Sequence, residues 1–374
     1  MSIRVALFGT KFMGKAHSQA WRSVNMFFPD VPQVEMKVIV GRSAAETEQA
    51  RRLYGWQEAS ADWQAVMRRP DIDVVDIATP GDVHCEMALA AASAGKHIVC
   101  EKPLANTLAE AKKMLAAVEK AKVRHLLMHN YRRVPAVTLA RQLIDEGRLG
   151  KIYHFRARYL QDWAMSPNLH LLWRFEAKRA GTGALGDLGA HIVDLGRYLC
   201  GEISEVSALL ETFIKQRPVA PGSRRKGKVT VDDAFIMMAR FQSGALGSFE
   251  ATRFALGRKN NNTFEINGSK GSLVFDLENL NILKYFSSDD PAHVRGFHEI
   301  ICVTKGVHPY ASAWWADGHI LGYEHTFTHT VYDFLKALSS RSRIHPDFAD
   351  GVRNQAVLDA AARSAAKKRW VRVV

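Results

Sequence analysis

The sequence predicts an α/β fold in two domains: a parallel-sheet domain over residues 1–128 and a second α/β domain over 129–374. Three observations carry this. Short apolar strands alternate with helical stretches as far as Met128, and that spacing means βαβ units and a parallel sheet. A glycine-bearing turn follows the first strand and runs straight into a helix. From Val206 onward strands dominate, joined by hairpin-type turns, the mark of an antiparallel sheet with helices on one face. A chain of 374 residues is also too long for one ordinary core.

The elements follow in order. Residues 4–8 are short and apolar, and 14–24 read as a helix. Residues 34–40 form a second strand, and Ala44–Tyr54 a helix with charges on one face. Strands over 74–78, 97–100 and His125–Met128 alternate with helices over 85–94 and Leu108–Ala121, the latter strongly amphipathic. Asn106 and Thr107 are its cap candidates. The pattern changes near Asn130. Residues 135–146 read as a helix ending at Gly147, 151–161 alternate as a strand, and 183–199 read as a helix stopped by Gly201. Strands over 235–241 and 245–252 flank Gln242-Ser243-Gly244, and strands over 263–266 and 272–276 flank a second glycine turn. Residues 215–228 read as disordered, and 325–339 and 351–367 as closing helices.

Composition narrows the function classes. The chain is 47% hydrophobic and 24% charged, which reads as globular and soluble. No run is apolar and long enough to cross a bilayer, and the start enters a strand without the h-region of a signal peptide. Cys85, Cys100, Cys200 and Cys302 lie far apart and make no disulfide or metal pattern. No metal is expected, and a reducing cytoplasm fits. The net charge of +13 has no zinc-finger, RNP or helix-turn-helix signature beside it, so no nucleic-acid or membrane partner is expected.

The first strand-to-helix turn is Gly9-Thr10-Lys11-Phe12-Met13-Gly14. Such a turn aims backbone N–H groups and a helix dipole at a pyrophosphate. The middle glycine of G-x-G-x-x-G is Lys11 here: either its side chain pushes the phosphates outward or its ammonium contacts them. An acid at the end of the second strand would favour NAD, and a basic residue NADP. This chain has Arg42 and Ser43, donors that suit a phosphate, so the expected cofactor is NAD(P), leaning to NADP.

The third strand ends in Ala78-Thr79-Pro80 with His84 soon after, and the fourth in Glu101-Lys102-Pro103. Strand ends of this kind line the ligand crevice of an open α/β sheet. Downstream, Asp187 and His191 are four apart and share a face if the segment is an α-helix. Taken singly, His191 reads as a structural histidine and Asp187 as a first-turn acid. Beside a nucleotide turn they read, with Lys102, as a proton-transfer set.

At these residues the chain resembles the Gfo/Idh/MocA oxidoreductase family, and within it levoglucosan dehydrogenase-like and inositol dehydrogenase-like members. The glycine turn, Thr79-Pro80 with His84, Glu101-Lys102-Pro103 and Asp187-x-x-x-His191 carry the likeness. Asn130-Tyr131-Arg132-Arg133 and Tyr159-Leu160-Gln161-Asp162-Trp163 carry the closer one. The resemblance implies a Rossmann domain, then an α/β domain with a large open sheet that is buried in homodimers or homotetramers. It implies hydride exchange between nicotinamide and a secondary hydroxyl or ketone carbon of a sugar, anhydrosugar or cyclitol. His191 is then the acid/base, supported by Lys102 and Asp187. Gly9, Lys11, Phe12, Met13, Gly14, Arg42, Ser43, Thr79, Pro80, His84, Glu101 and Lys102 line the cofactor. For substrate, Tyr131, Gln161, Trp163, Trp173 and Arg174 offer polar groups and aromatic faces. Two other readings stay open: a glycosidase using transient oxidation on the same scaffold, and a cofactor-binding sensor without catalysis.

Overall fold

The structure, a computed structural model, describes residues 2–340 and 342–374, so Met1 and Arg341 lie outside the described residues. The chain divides into two compact units, Met1–Arg133 with Gly322–Arg353, and Val134–Leu321 with Asn354–Val374. A single boundary at 128/129 therefore misses a return of the chain. The helix Tyr323–Ser340 belongs with the first unit because its apolar face is buried there. Phe327 lies 5.4 Å from the His17 ring, and Phe334 lies 6.4 Å from Trp21.

In the first unit six strands form one parallel sheet: β1 (Ser2–Phe8), β2 (Gln33–Val40), β3 (Glu58–Ser60), β4 (Val74–Ile77), β5 (His97–Glu101) and β6 (His125–Met128). Their order is β3-β2-β1-β4-β5-β6. The order reverses between β1 and β4, which opens a crevice at the carboxyl ends of those strands. Helices α1 (Phe12–Phe27), α2 (Ala44–Tyr54), α3 (Trp63–Met67), α4 (His84–Ser93) and α5 (Leu108–Ala121) make the connections. Val75, Ile77, Ile98 and Cys100 of the sheet meet Ala88 and Ala91 of α4 and Met114 and Val118 of α5 in one core. Strands buried on both faces need largely apolar runs, and these have them apart from Asp76 of β4 and Glu101 of β5. Thr107 and Glu110 close a capping box at α5, as the Asn106-Thr107 pair leads one to expect.

The second unit holds α6 (Pro135–Asp145), β7 (Ile152–Leu160), α7 (Ala177–Ala180), α8 (Ala190–Cys200) and β8 (Ile203–Glu211). Then come β9 (Gln216–Pro218), β10 (Lys226–Lys228), β11 (Ala234–Phe241), β12 (Leu246–Thr252) and β13 (Asn261–Gly268). The last are β14 (Gly271–Asp276), β15 (Ile282–Ser287), β16 (His298–Ile301) and β17 (Val371–Arg372). Nine of these strands form a mixed, mostly antiparallel sheet in the order β16-β15-β14-β13-β7-β12-β11-β8-β17. β7 runs parallel to β12. β11 alternates: Phe235, Met237, Ala239 and Phe241 are buried, while Ile236, Met238 and Arg240 face outward.

Residues 215–228 are not the disordered stretch the sequence predicts. β9 and β10 pair antiparallel there. The reason is Arg217, whose guanidinium is fully buried over the Phe175 ring and donates to the carbonyls of Ala164 at 2.6 Å and Ser166 at 2.8 Å. A buried cation that satisfies backbone carbonyls fixes its strand.

The predicted helix over 183–199 is also interrupted: Leu185–Gly189 is a π turn and α8 follows it. Buried Asp232 holds the start of that turn, accepting from the N–H of Gly183 at 2.7 Å and of Leu185 at 2.8 Å. A Cβ at position 183 would lie 1.6 Å from the Asp232 carbonyl oxygen, so only glycine fits. Burial pushes the Asp232 carboxyl pKa up, opposed by these two amides and by the Arg253 charge.

Among the described residues no helix is long and apolar enough to cross a membrane. Replacing Asp232 by Ala leaves two buried amide donors unpaired, so stability in urea unfolding should fall by about 2–4 kcal/mol. Asp232→Asn keeps one acceptor and should lose less. Equal stability of Asp232→Ala and the parent chain would exclude this role.

Candidate active site

In the first unit the glycine turn is shaped by backbone contact. Gly9 has φ +129°. A Cβ there would lie 2.4 Å from the Ala78 carbonyl oxygen, and one on Gly14 would lie 2.1 Å from the Gly9 carbonyl oxygen. Lys11 precedes α1 without a side-chain cap, and the first turn of α1 holds no acid. The opening N–H groups and the dipole are thus suited to an anion. A Cβ-free cradle at an acid-free helix start fits a dinucleotide pyrophosphate. An open cavity of about 360 Å³ lies beside it, lined by Thr10, Lys11, Phe12, Lys15, Glu46 and Tyr54.

Glu46 was not anticipated among the site residues. Its carboxylate accepts from the Lys11 ammonium at 2.8 Å. That pair, with the Arg42 charge, lowers the Glu46 pKa. Ser43-x-x-Glu46 is a capping-box spacing, and that signal was available. Only half of the box forms: Ser43 caps α2, while Glu46 turns to Lys11. Arg42 is exposed at the end of β2. Phe12 is exposed too, with its ring 6.2 Å from Tyr323.

The ends of β4 and β5 are tied together by His84. Its ring nitrogens lie 2.9 Å from the Thr79 carbonyl and 3.1 Å from the Pro103 carbonyl. The ring is buried, so it serves the backbone of both strand ends. Thr79 and Pro80 are half-buried beside it. Glu101 is turned inward, one oxygen on His17 and the other accepting the Lys102 N–H at 3.0 Å. Lys102 itself is half-buried. Tyr131 is buried just past β6, its ring 6.3 Å from Tyr323.

The second unit gathers the remaining candidates. Asp187 lies in the π turn, not on an uninterrupted α face, and His191 in the first turn of α8. The Arg253 guanidinium, almost wholly buried, donates to Asp187 Oδ2 at 2.9 Å and to the Arg174 carbonyl at 3.3 Å. It also lies 5.1 Å over the Trp163 ring, within range of a cation–π contact. Trp163 donates to Gln161 at 3.0 Å, and Gln161 donates to Asn260 at 2.9 Å. Tyr159 donates to the same Asn260 oxygen at 2.7 Å and packs edge-on to His191 at 5.7 Å. Arg174 covers the Trp173 ring at 4.5 Å. A chain of contacts thus runs from Asp187 through Arg253, Trp163, Gln161, Asn260 and Tyr159 to His191. Sequence reasoning missed Arg253 and Asn260. The run Asn260-Asn261-Asn262 at a strand start was a signal for the second. Nothing local marks the first.

Comparison with known proteins fits this geometry. The chain matches the description "Oxidoreductase family, NAD-binding Rossmann fold" over residues 3–130 and "GFO/IDH/MocA C-terminal domain" over 137–274. Levoglucosan dehydrogenase of Pseudarthrobacter phenanthrenivorans is 44% identical over 385 residues, covering 100% of this chain and 98% of that protein. Inositol 2-dehydrogenase of Rhizobium meliloti is 24% identical over 378 residues, covering 100% of both. The structure of levoglucosan dehydrogenase in complex with NADH and levoglucosan superposes with a TM-score of 0.96 at 45% identity, covering 100% of each chain. An oxidoreductase domain protein from Kribbella flavida gives 0.97 at 47%, covering 100% of this chain and 99% of that one. An anion-shaped glycine turn on a 3-2-1-4-5-6 sheet, and a likeness that runs from end to end, lead to one conclusion: the chain belongs to the Gfo/Idh/MocA family and is an NAD-binding oxidoreductase.

Proposed function

We propose that this protein is an NAD(P)-dependent dehydrogenase acting on a secondary hydroxyl of a sugar, anhydrosugar or cyclitol. The observation that carries the reading is the contact chain joining Asp187 to His191. Amides, a phenol and an indole lie in that chain, polyols offer hydroxyls and C–H faces to such groups, and this supports reading Asp187 and His191 as the acid–base pair. The full-length likeness to levoglucosan dehydrogenase supports the same substrate class.

Gly9, Gly14 and the first N–H groups of α1 hold the pyrophosphate, with Lys11, Phe12 and Met13 at the turn. Arg42 and Ser43 take the adenine ribose. Thr79, Pro80 and Lys102 line the nicotinamide end, with His84 and Glu101 setting their backbone. When bound, the nicotinamide supplies the acceptor for a hydride and its electron pair. His191 takes the hydroxyl proton, as an imidazole does best near neutral pH. The Lys102 ammonium stabilises the oxygen as negative charge grows on it. Asp187, fixed by Arg253, orients the hydroxyl. The carbon gives up its hydride, the oxygen its proton, and a carbonyl forms.

For the cofactor, the absence of an acid at the end of β2 and the presence of Arg42 favour NADP. NAD is the second reading, favoured by the NADH held in the related levoglucosan dehydrogenase structures. The outward residues Leu209, Ile236 and Met238 form an exposed apolar patch on β8 and β11, and we assign it to a homodimer or homotetramer contact.

Three outcomes are expected. A polyol panel should give reduced cofactor, and His191→Ala should lower kcat by about 10²–10⁴-fold with cofactor Kd little changed. Release of an aglycone without net cofactor reduction would overturn this reading. Arg42→Asp should weaken NADP binding at least tenfold and NAD binding little; an equal effect on both would remove the NADP assignment. Ile236→Lys should lower the sedimenting mass towards the monomer, and an unchanged mass would rule out this face.

A further inference from the structure

Directly beneath the strand end that carries Lys102, three ionisable side chains meet in the core. His17 of α1 and Asp76 of β4 are fully buried, and Glu101 of β5 is 4% exposed. His17 Nδ1 lies 2.8 and 2.9 Å from the two Asp76 oxygens, and Nε2 lies 2.9 Å from Glu101 Oε1. Both ring nitrogens face carboxylates, so both donate, which an imidazolium satisfies. Trp21 Nε1–H adds a second donor to Asp76 at 2.7 Å. The second Glu101 oxygen accepts the Lys102 N–H.

The surroundings are otherwise apolar or neutral. Phe327 lies against the His17 ring. Burial, then the Glu101 and Asp76 charges, pushes the Cys100 thiol up. Burial, then Tyr131 and Glu101, pushes the Tyr323 phenol up. For His17, burial works downward, but the charge and hydrogen bond of Asp76, followed by those of Glu101, raise its pKa to about 10. The cluster is one cation between two anions.

Apolar side chains of similar volume would join these layers at least as well as buried ions. The distinctive product of the ionic version is direction: a carboxylate clamped on one oxygen presents the other to a single backbone amide. We propose that His17 is a positioning residue for Lys102, acting through Glu101, and that Asp76 in turn orients and charges His17. This rests on the reading of Lys102 as the group that stabilises the substrate oxygen.

The test compares His17→Gln, Asp76→Asn and Lys102→Met in the full-length enzyme with the polyol and cofactor that turn over. His17→Gln should lower kcat about 10- to 100-fold while cofactor Kd stays within about threefold. Asp76→Asn touches neither Lys102 nor Glu101 and keeps the shape of the side chain. It should move the alkaline fall of kcat to lower pH, because His17 loses its strongest anionic partner. Folding stability gives a second readout. A raised His17 pKa contributes stability that is complete below about pH 6.5 and lost as pH rises towards about 10. His17→Gln should flatten that loss. If His17→Gln and Asp76→Asn weaken folding but leave kcat and its pH profile unchanged while Lys102→Met abolishes turnover, the positioning role is wrong and the reading of Lys102 stands. If Lys102→Met keeps full turnover, the reading of Lys102 fails and takes the proposal with it.

Discussion

Asp232 accepts from Gly183 and Leu185 at the mouth of the π turn, and the placement of Asp187 and His191 follows from that grip. A π turn takes more residues than an α turn. Two side chains four apart across it therefore do not stack as they would along a regular helix. Asp187 is instead caught by Arg253 from β12's far end, and His191 is left against Tyr159. Remove the carboxylate at 232 and both amides lose their partner, leaving the backbone bond from the Ala184 N–H to the Asp232 carbonyl at 3.1 Å to hold the break in the helix. The glycine at 183 is the other half of the same constraint, because the Asp232 backbone occupies the space where a side chain would begin.

What the sequence revealed and what it hid divide along sequence distance. The alternation of strand and helix, the turn at Gly9–Gly14, the cap at Thr107 and the hairpins of β11–β12 and β13–β14 are local patterns, and each was legible. The interruption at Leu185–Gly189 was not, because it is imposed by a residue more than 40 positions away. Residues 215–228 looked like a solvated basic loop, since nothing local tells Arg217 to bury its guanidinium under Phe175. The return of Gly322–Arg353 to the first unit was equally hidden, as amphipathic helices do not state which core they serve. Among candidate site residues, Lys102, Asp187 and His191 stood out by type and motif. Arg253 stood out by nothing, since its meaning lies in the carboxylate it meets.

The basic excess of the chain also changes meaning. Counted from composition, +13 reads as surface. Yet Arg217 and Arg253 are among the largest fully buried side chains. Both lie against aromatic rings and donate to main-chain carbonyls around residues 164–174. Planar guanidinium groups suit this task because one head can satisfy several carbonyls while stacking. The first unit uses the opposite arrangement, a buried imidazolium between two carboxylates, to steady a strand end.

The position of β7 at the centre of the large sheet has a consequence for how the chain is made. Among the described residues β7 (Ile152–Leu160) pairs only with β12 (Leu246–Thr252) and β13 (Asn261–Gly268). The loop between them must close before either ladder can form, and such non-local pairing is slow. During synthesis, then, the strand leading to Tyr159 and Gln161 leaves the ribosome with no neighbour and waits for about another hundred residues. The first unit waits longer still, for Phe327 and Phe334. Neither half can mature behind the ribosome in simple N-to-C order, so the one apolar face of β7, with Phe155, Ala157 and Tyr159, is a surface that a nascent chain needs shielded.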